Sequence, residues 1–473
     1  MKIIIGTAVL SFWCAGMCFG VTDPVTDFKG EMSRVGRDCD SFSFNGIAGC
    51  ADLLFTDHPL HIAIGSLAPG NSFGAGVAAV GHWETAKWIN TWDVDAIVSP
   101  NLSWRAGGYM TFVWANVTPP TPHKGRPKPK RNSQIDLMQE QPVFHLYAET
   151  DSLNKLTFFG IGPSTAETGR TYFGMRETVT GGNVVLPLTR LSAIKPLRAS
   201  ILAEANGRFV STRNEDGQGS PSIEQVYSPL TAPGLFVDRS FAQFGEGVRL
   251  DPSFASDHVQ LDYLVNYQEY LGQETYSFRR FTTDLSHTFQ IYQNHLPPAH
   301  QPINGPDECF ASKTQDDKTS GLACPDATRD YEGSLQLRFL LSESFIPAAH
   351  IEPFYFQPTL GGTDINGNPM LSSFQDYRFR APNLMVFRAA FEHSIYKWPV
   401  GLLLMLDEGK VALNRSDIDL AHLQHSYSAG LTLHAGGFPV LRLLFSWGGH
   451  EGTHTTAAAD TSLLGGGARP SLY

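Results

Sequence analysis

The sequence is poor in charged residues and has no long apolar run in its main body. Only 17% of its 473 residues are charged, and beyond residue 20 no apolar stretch approaches the roughly 20 residues of a membrane helix. It has no long basic run, and 35 Lys and Arg against 46 Asp and Glu give a net charge of −11, which argues against a nucleic-acid partner. Its 45 glycines and 30 prolines exclude a coiled coil or a bundle of long helices. An exported chain of this composition is either soluble or a closed membrane barrel.

The first twenty residues have the pattern of an export signal. Lys2 precedes an apolar stretch at 3–12, and Cys18-Phe19-Gly20 places small residues before a cleavage site that follows Gly20. We therefore expect three parts: a signal peptide at 1–20, a short periplasmic or lumenal segment at 21–58, and a single barrel domain at 59–473.

Four cysteines follow the signal segment and form two local pairs. In an oxidising compartment these pairs predict two loop-closing disulfides, Cys39 with Cys50 and Cys309 with Cys324. No Cys-x-x-Cys motif or nearby histidine spacing supports a zinc site. We predict no metal and no cofactor.

Period-two alternation is the strongest pattern in the chain. In 259–267 the odd positions are apolar or aromatic and the even positions are mostly polar. The same alternation recurs in 281–291, 331–341, 385–395 and 441–447. Such segments form strands with one apolar and one polar face.

A soluble β-sandwich also alternates, but three features favour a membrane barrel. The alternating segments run for about ten to fifteen residues, longer than the roughly 5–6 of soluble strands. Their polar faces carry Arg, Asp, Glu and Gln, which a water-filled lumen accommodates. Aromatic residues lie at segment ends, as in an interfacial girdle: Trp83, Trp88, Trp92, Trp104, Trp114, Tyr270, Tyr276, Tyr292 and Trp447. We predict an all-β fold, a transmembrane antiparallel β-barrel of about sixteen strands with a short N-terminal segment.

The connections between these segments differ in length. The long ones are 116–141, 212–240 and 293–329, and short turns separate most other strands. In outer-membrane barrels the periplasmic turns are short and the external loops long. We therefore expect the three long connections to be external loops.

Two short motifs match enzyme signatures. His450-Glu451-Gly452-Thr453-His454 fits the zinc-protease pattern, but it follows a strand and Gly448-Gly449, so we predict a turn. Gly70-Asn71-Ser72-Phe73-Gly74 fits a nucleophile elbow without the helix that this elbow needs, so we predict a hairpin turn. A hydrolase based on Ser72 or on the two histidines is the enzymatic alternative, and we predict that the chain is not an enzyme.

A long loop near residue 370 leads into a hairpin that carries a carboxylate. Gly361-Gly362 opens this loop, the segment 370–380 contains Arg378 and Arg380, and the second hairpin strand contains Asp407. Either arginine could pair with Asp407 inside the barrel and hold the loop there.

The order of these elements resembles the C-terminal half of the BamA/TamA-type barrels, the bacterial surface-antigen family. The residues that carry the resemblance are Phe159-Gly160-Ile161-Gly162 at a strand end, Gly361-Gly362, the segment Tyr377-Arg378-Phe379-Arg380 and Asp407-x-Gly409. It extends loosely over about 150–450. The resemblance implies a lumenal loop held against the wall, with these candidate residues: Gly361, Gly362, Leu371, Phe374, Arg378, Arg380, Asp407 and Gly409.

Two departures from the family pattern accompany the resemblance. Family members carry an Arg-Gly pair in a Leu-Arg-Gly-Phe/Tyr motif, and here the matching residues are Leu371-Ser372-Ser373-Phe374. Family insertases also carry periplasmic POTRA domains, and residues 21–58 are too few for even one. The sequence therefore resembles a POTRA-less member.

The resemblance implies a role at the cell outer membrane in the assembly or translocation of protein or lipid. Its partners would be outer-membrane lipid, a protein or lipid client, and the barrel assembly machinery that inserts the chain itself. The alternative is a passive porin-like channel for small solutes, because polar lumen faces suit it equally well. Whether the loop at 357–383 occludes the lumen discriminates between the two.

Overall fold

The computed structural model describes residues 60–84, 87–114, 141–188, 199–215, 220–254, 258–273, 275–295, 329–395, 400–435, 438–449, 451 and 453–459. The expected signal and the 21–58 segment lie outside these residues, as do the four candidate disulfide cysteines, Cys39, Cys50, Cys309 and Cys324. No helix within the described ranges is long and apolar enough to cross a membrane.

Strands make up most of the described chain, and the longest has 18 residues. In chain order they are β1 (Leu60–Ser66), β2 (Phe73–Glu84), β3 (Trp88–Val98), β4 (Trp104–Trp114), β5 (Val143–Phe158), β6 (Thr171–Pro187), β7 (Ala199–Asn214), β8 (Arg239–Leu250), β9 (Ser253–Phe254), β10 (Val259–Gly272), β11 (Phe278–His295), β12 (Arg329–Phe345), β13 (Thr359–Leu360), β14 (Phe379–Arg380), β15 (Asn383–Ser394), β16 (Val400–Ala412), β17 (Gln424–Ala435), β18 (Phe438–Trp447) and β19 (His454–Ala459).

All of the long strands belong to one antiparallel sheet. Each strand pairs with the next in the chain, with two exceptions: β8 and β9 both pair with β10, and β12 pairs with β15. Counting β8 and β9 as one strand gives sixteen wall strands, and β13 and β14 form a separate two-stranded hairpin. The first and last strands, β1 and β19, come within 8 Å of each other, so the sheet wraps into a barrel. The predicted all-β barrel of about sixteen strands is confirmed.

The two faces of each wall strand differ as the alternation predicts. In β16, Leu402 and Leu404 are 37% and 42% exposed, whereas Leu403, Met405 and Asp407 are at most 8% exposed. Register carries these faces from strand to strand, because directly paired residues point to the same side of a sheet. The outer face therefore shows apolar side chains, including Leu337, Phe445, Leu443, Leu441, Leu431, Phe209 and Phe244. This is the surface of a membrane-spanning barrel.

The aromatic girdle is confirmed in part. Trp104, Trp114 and Trp447 lie at strand ends and are each more than a third exposed on the outer face, whereas Trp92 is exposed in the middle of β3. The expectation for Tyr270 is wrong, because this side chain is fully buried inside the barrel and stacks on Phe278 at a centroid distance of 4.5 Å.

The two ends of the barrel differ in how they are built. At one end, called the loop end, lie the connections 67–72, 99–103, 159–170, 215–238, 273–277, 346–382, 413–423 and 448–453. At the other, the terminal end, β1 begins and β19 finishes. Strand direction puts the residues that flank the first and third long connections, Trp114 with Val143 and His295 with Arg329, at the terminal end. The residues that flank the second, Asn214 and Arg239, lie at the loop end. The expectation that all three long connections share one side is therefore wrong.

The Gly-Asn-Ser-Phe-Gly motif forms the predicted hairpin turn, which joins β1 to β2. Gly70 and Ser72 have positive φ angles of 83° and 64°. Asn71 is fully buried, and its side chain accepts from the Lys155 N–H at 2.9 Å and donates to the Lys155 carbonyl at 2.8 Å. Asn71 thus ties this turn to β5.

Candidate functional site: the loop that fills the lumen

The connection 346–382, called the plug loop, turns inward between β12 and β15. Its first part forms a 3-10 turn, Phe354–Phe356, whose three aromatic side chains are at most 3% exposed. Phe354 packs edge-on against Phe158 and Phe173 of the wall, each at a centroid distance of 5.1 Å. An apolar loop segment therefore packs on inward-facing side chains of the wall, and the free energy of burying it holds the loop inside.

The apolar cluster around this turn spans much of the lumen. Its buried members include side chains from β5, β6, β7, β8, β10 and β11 and from the loops: Leu153, Leu156, Phe158, Phe173, Met175, Val210, Ile223, Leu235, Phe241, Tyr270, Phe278, Ile365 and Tyr377. Beside Tyr355 and Tyr377 a gap of only about 10 Å³ is left, room for about one water molecule. The plug loop occludes the barrel at this level.

Two adjacent glycines allow the sharp turn after β13. Gly361 and Gly362 have φ angles of 111° and 64°. A Cβ on Gly361 would lie 2.5 Å from the Arg378 Cβ, and one on Gly362 would lie 2.3 Å from the Asp376 carboxylate. The close approach brings β14 alongside β13, with the Gly361 N–H donating to the Met370 carbonyl at 2.8 Å. A side chain at either position would force these segments apart.

The second half of the plug loop rests on a buried carboxylate. Asp407 of β16 is fully buried and faces the lumen. Its Oδ2 accepts from the Leu371 N–H at 3.2 Å, and its Oδ1 lies 2.6 Å from Nε of Arg388. Arg388, on β15, also donates to the carbonyl of Pro369 in the loop. Asp407 and Arg388 thus join two wall strands and the plug loop in one set of hydrogen bonds.

The expected pairing of Asp407 with Arg378 or Arg380 is wrong. Arg388 takes that place because it lies directly opposite Asp407 in the β15–β16 register. Arg380 instead donates to the Phe354 carbonyl at 2.6 Å. Arg388 could have been found from the sequence once the hairpin register was known, since it lies on the predicted polar face.

Arg378 joins three connections at the loop end. Its Nε lies 2.5 Å from a carboxylate oxygen of Glu451, and both side chains are 3% exposed. Its other nitrogens donate to the hydroxyl and the carbonyl of Thr165, at 2.8 and 2.6 Å. The plug loop is therefore tied both to the connection 159–170 and to the connection that precedes β19.

Two further glycines lie against plug-loop side chains. A Cβ on Gly449 would collide with the Phe374 ring at 2.4 Å, whereas a Cβ on Gly409 would make an ordinary contact of 3.4 Å with Leu360 and would collide with the Met385 carbonyl of β15 at 2.7 Å. Phe374 is 1% exposed and Leu360 is fully buried. The candidate residues of the plug loop and of the wall thus lie close together in the structure. The expected ion-pair partner of Asp407 is the exception.

Of the His-Glu-x-x-His motif, His450 and Gly452 lie outside the described residues. Its last residue, His454, is the first residue of strand β19 and not part of a helix. Glu451 pairs with Arg378 instead. Within the described ranges, no group of three or more His, Cys, Asp and Glu side chains is arranged to hold a metal ion.

One plug-loop carboxyl group titrates near neutral pH. Burial raises the pKa of Asp376, in the loop and outside the wall strands, to about 6, and the Thr363 N–H that donates to its Oδ1 at 3.0 Å opposes this effect. Protonation of Asp376 therefore favours the buried loop.

No protein family and no characterised protein matches the sequence. Three solved structures are similar to it in fold. CdiB from Escherichia coli has 11% identity and a TM-score of 0.48 over 85% of this chain and 62% of its own. BamA from Haemophilus ducreyi, lacking POTRA domains 1–3, has 8% identity and a TM-score of 0.46 over 84% of this chain and 68% of its own. CdiB from Acinetobacter baumannii has 10% identity and a TM-score of 0.45, and this chain spans 58% of its length.

Proposed function

We propose that this chain is an outer-membrane β-barrel that acts in the assembly or translocation of protein or lipid. The observation that carries the proposal is the meeting of β1 and β19, called the seam. Fifteen pairs of neighbouring wall strands are joined by backbone ladders. At the seam the two strands come within 8 Å, but no ladder between them is found among the described residues.

Among the described strand pairs, the seam is the one without a ladder and therefore the one that opens at least cost. Opening any other pair breaks a ladder such as the eleven paired positions between β3 and β4. An exposed strand edge is also a template on which another strand can add. The seam therefore suits lateral entry of a β-strand or a lipid into the bilayer.

The plugged lumen supports the lateral route. The apolar outer face supports a membrane location, and the plug loop packs across the lumen and obstructs passage along the barrel axis. A client that cannot pass along the axis has the seam as its exit. No covalent chemistry is needed for this function.

A crosslink across the seam tests the proposal. In a background without native cysteines, Ile64→Cys on β1 and Ala457→Cys on β19 are joined by a short bismaleimide, and the control joins Ile64→Cys to Ala75→Cys, its register partner on β2. The readout is the rate at which liposomes that contain the barrel accept an unfolded outer-membrane protein. The uncrosslinked barrel should raise this rate above that of empty liposomes. We expect the seam crosslink to abolish the increase and the control crosslink to preserve it. Equal rates in both would refute the lateral route.

The alternative, a passive channel, makes the opposite prediction for conductance. Inward-facing polar side chains such as Asp284, Arg338 and Gln336 are compatible with a water-filled pore. Among the described residues, the plug loop packs on inward-facing wall side chains on two sides, through the buried clusters that contain Phe354 and Leu371. We expect small or absent single-channel conductance from the folded barrel in a planar bilayer. Large and steady openings would favour the channel.

A further inference from the structure

A cluster of cationic side chains lies on the outer wall near the loop end, against the acidic character of the whole chain. It comprises Lys155 of β5, Arg170 of the following connection, Arg176 of β6 and Arg213 of β7. The adjoining connections also contain carboxylates, Glu167 in 159–170 and Glu215, Asp216, Glu224 and Asp238 in 215–238. The patch is therefore defined by where its cations lie on the wall and not by a net charge. We call these four residues the basic rim.

Register shows that Arg176 and Arg213 of the basic rim face away from the lumen. Arg176 pairs with Ser152 and Ser211, in the same row as Trp104 of β4, which is 36% exposed on the outer face. Arg213 pairs with Gly174, two residues before Arg176 on β6. The two arginines are therefore diagonal neighbours on one face.

Arg213 lies flat across β6 because Gly174 leaves room for it. A Cβ on Gly174 would lie 2.8 Å from Cγ and Nε of Arg213. Its Nη2 then reaches β5 and donates to the Ser152 hydroxyl at 3.1 Å and to the Leu153 carbonyl at 3.2 Å. These acceptors are neutral, so they position the guanidinium without cancelling its charge.

Other rim cations are held in the same way. Lys155 and Arg170 lie over the ring of Tyr172, 4.7 and 5.9 Å from its centre. Arg170 donates to two neutral acceptors, the Ser220 hydroxyl and the Gln375 amide oxygen. Arg176 is exposed, and among the described residues it has no ion-pair partner. Arg176 thus presents an exposed positive charge on the outer face, beside the guanidinium of Arg213.

The outer face beside the rim is apolar. This apolar surface shows at what depth in a membrane the rim would lie. Leu146 and Phe209, on the same strands but farther from the loop end, are 49% and 47% exposed. Trp104 marks the boundary, since tryptophan prefers the interface between headgroups and acyl chains. A charge at this level meets lipid headgroups rather than acyl chains.

We infer that the basic rim binds the phosphate group of an anionic lipid in the leaflet at the loop end. The inference rests on the proposed membrane location of the barrel and not on its role in assembly or translocation. Arg176 and Arg213 would donate to phosphate oxygens, to which arginine binds well. The Trp104 ring would lie beside the glycerol and upper acyl region.

Native mass spectrometry of the full chain in detergent tests this inference, with phosphatidylglycerol as the probe and phosphatidylcholine as the zwitterionic comparison. A basic residue near a lipid surface contributes about 1 kcal/mol, so we expect Arg176→Gln to weaken phosphatidylglycerol binding about fivefold. Adding Arg213→Gln should weaken it about 25-fold in all, and Arg176→Lys should restore most of the Arg176→Gln loss. Arg279→Gln is the control, because Arg279 is an exposed wall arginine that is already paired with Glu269 at 2.8 Å.

Three results would overturn the inference. They are equal binding of the two lipids, an equal loss in the Arg279→Gln control, and displacement of the lipid by inorganic phosphate alone, which would indicate a site for the free ion. Heat-modifiable gel mobility of each variant establishes that the barrel is folded. Failure of the seam-crosslink experiment would leave the lipid preference unchanged, so the two proposals fail separately.

Discussion

The Asp407–Arg388 pair offers the sharpest test of how the plug loop is held. Asp407→Asn removes the negative charge while it leaves the Arg388 guanidinium, 9% exposed, inside the barrel. Removing one member of a buried ion pair costs about 3–5 kcal/mol. The Pro369 carbonyl still accepts from Arg388, so we expect the lower end, about 3 kcal/mol. That raises the population of the released loop on the order of 100-fold.

Hydrogen exchange of the plug loop measures this release. The Leu371 N–H donates to Asp407 and the Ser373 N–H donates to the Ser426 hydroxyl at 2.9 Å, so both amides report whether the loop is seated. In Asp407→Asn both should exchange on the order of 100-fold faster, because exchange of a protected amide follows the opening equilibrium.

The matched control is the same substitution in an exposed pair at the end of the same strand. Asp419 lies 2.7 Å from Lys410, and its side chain is 59% exposed. Exposed pairs contribute about 0–1 kcal/mol, so Asp419→Asn should change plug-loop exchange by less than about fivefold. Unchanged exchange in a folded Asp407→Asn barrel, or an equal effect of the control, would refute the reasoning. Replacing the pair together, as Asp407→Leu with Arg388→Met, should restore most of the protection, because an apolar pair leaves no buried charge.

Three further predictions concern the loop end. The pKa of Asp376 is about 6 in the folded protein and roughly 3.9 in the unfolded chain. The stabilisation by the protonated Asp376 is therefore complete below about pH 4 and is lost as the pH rises through 6, a change of about 2–3 kcal/mol. Asp376→Asn should remove this part of the pH dependence of the urea midpoint. Gly449→Ala should lower the free energy of unfolding by about 2–4 kcal/mol, because at a φ of 65° the new Cβ would collide with Phe374. Gly367→Ala is the control, since Gly367 has a φ of 86° and no atom lies within 4 Å of the new Cβ. It should cost only about 1 kcal/mol of backbone strain. Glu451→Gln should speed hydrogen exchange in β19 on the order of 100-fold, since it leaves a buried arginine without its carboxylate.

Each of these three has a clear contrary outcome. A pH dependence that persists in Asp376→Asn would place the titration elsewhere. Equal losses in the two glycine variants would mean that the Phe374 contact contributes nothing. An unchanged β19 in Glu451→Gln would show that the plug loop and the last strand are energetically independent.

The faces of the wall strands could be predicted because the alternation of side chains in a strand is strict. In 331–341 the spacing of Leu335, Leu337, Phe339 and Leu341 predicts that they share one face, and register places all four outside. Tyr270 was misassigned from its position at a segment end. The phase of β10, in which Leu261 and other odd residues point outward, already puts the even-numbered Tyr270 inside.

The ion pair could not be predicted, because alternation gives a face but not a register. Arg388 and Asp407 meet because Asn383 pairs with Ala412, and this alignment is set by the short connection 395–399. For the same reason, the pairing of Arg378 with Glu451 could not be predicted. The two residues lie 73 positions apart in the sequence. Contacts between distant loops depend on closure of the whole barrel and leave no local pattern in the chain.

The sequence separation of the plug-loop contacts has a consequence for how the protein folds. Arg378 bonds to Thr165 across 213 positions, and the Thr157 hydroxyl donates to the Asp376 carbonyl across 219. Contacts of such long range form late, because their chain entropy is lost before they contribute any stabilisation. Seating of the plug loop is therefore one of the last steps of folding, and the barrel has a wider lumen while it is being built than when it is finished.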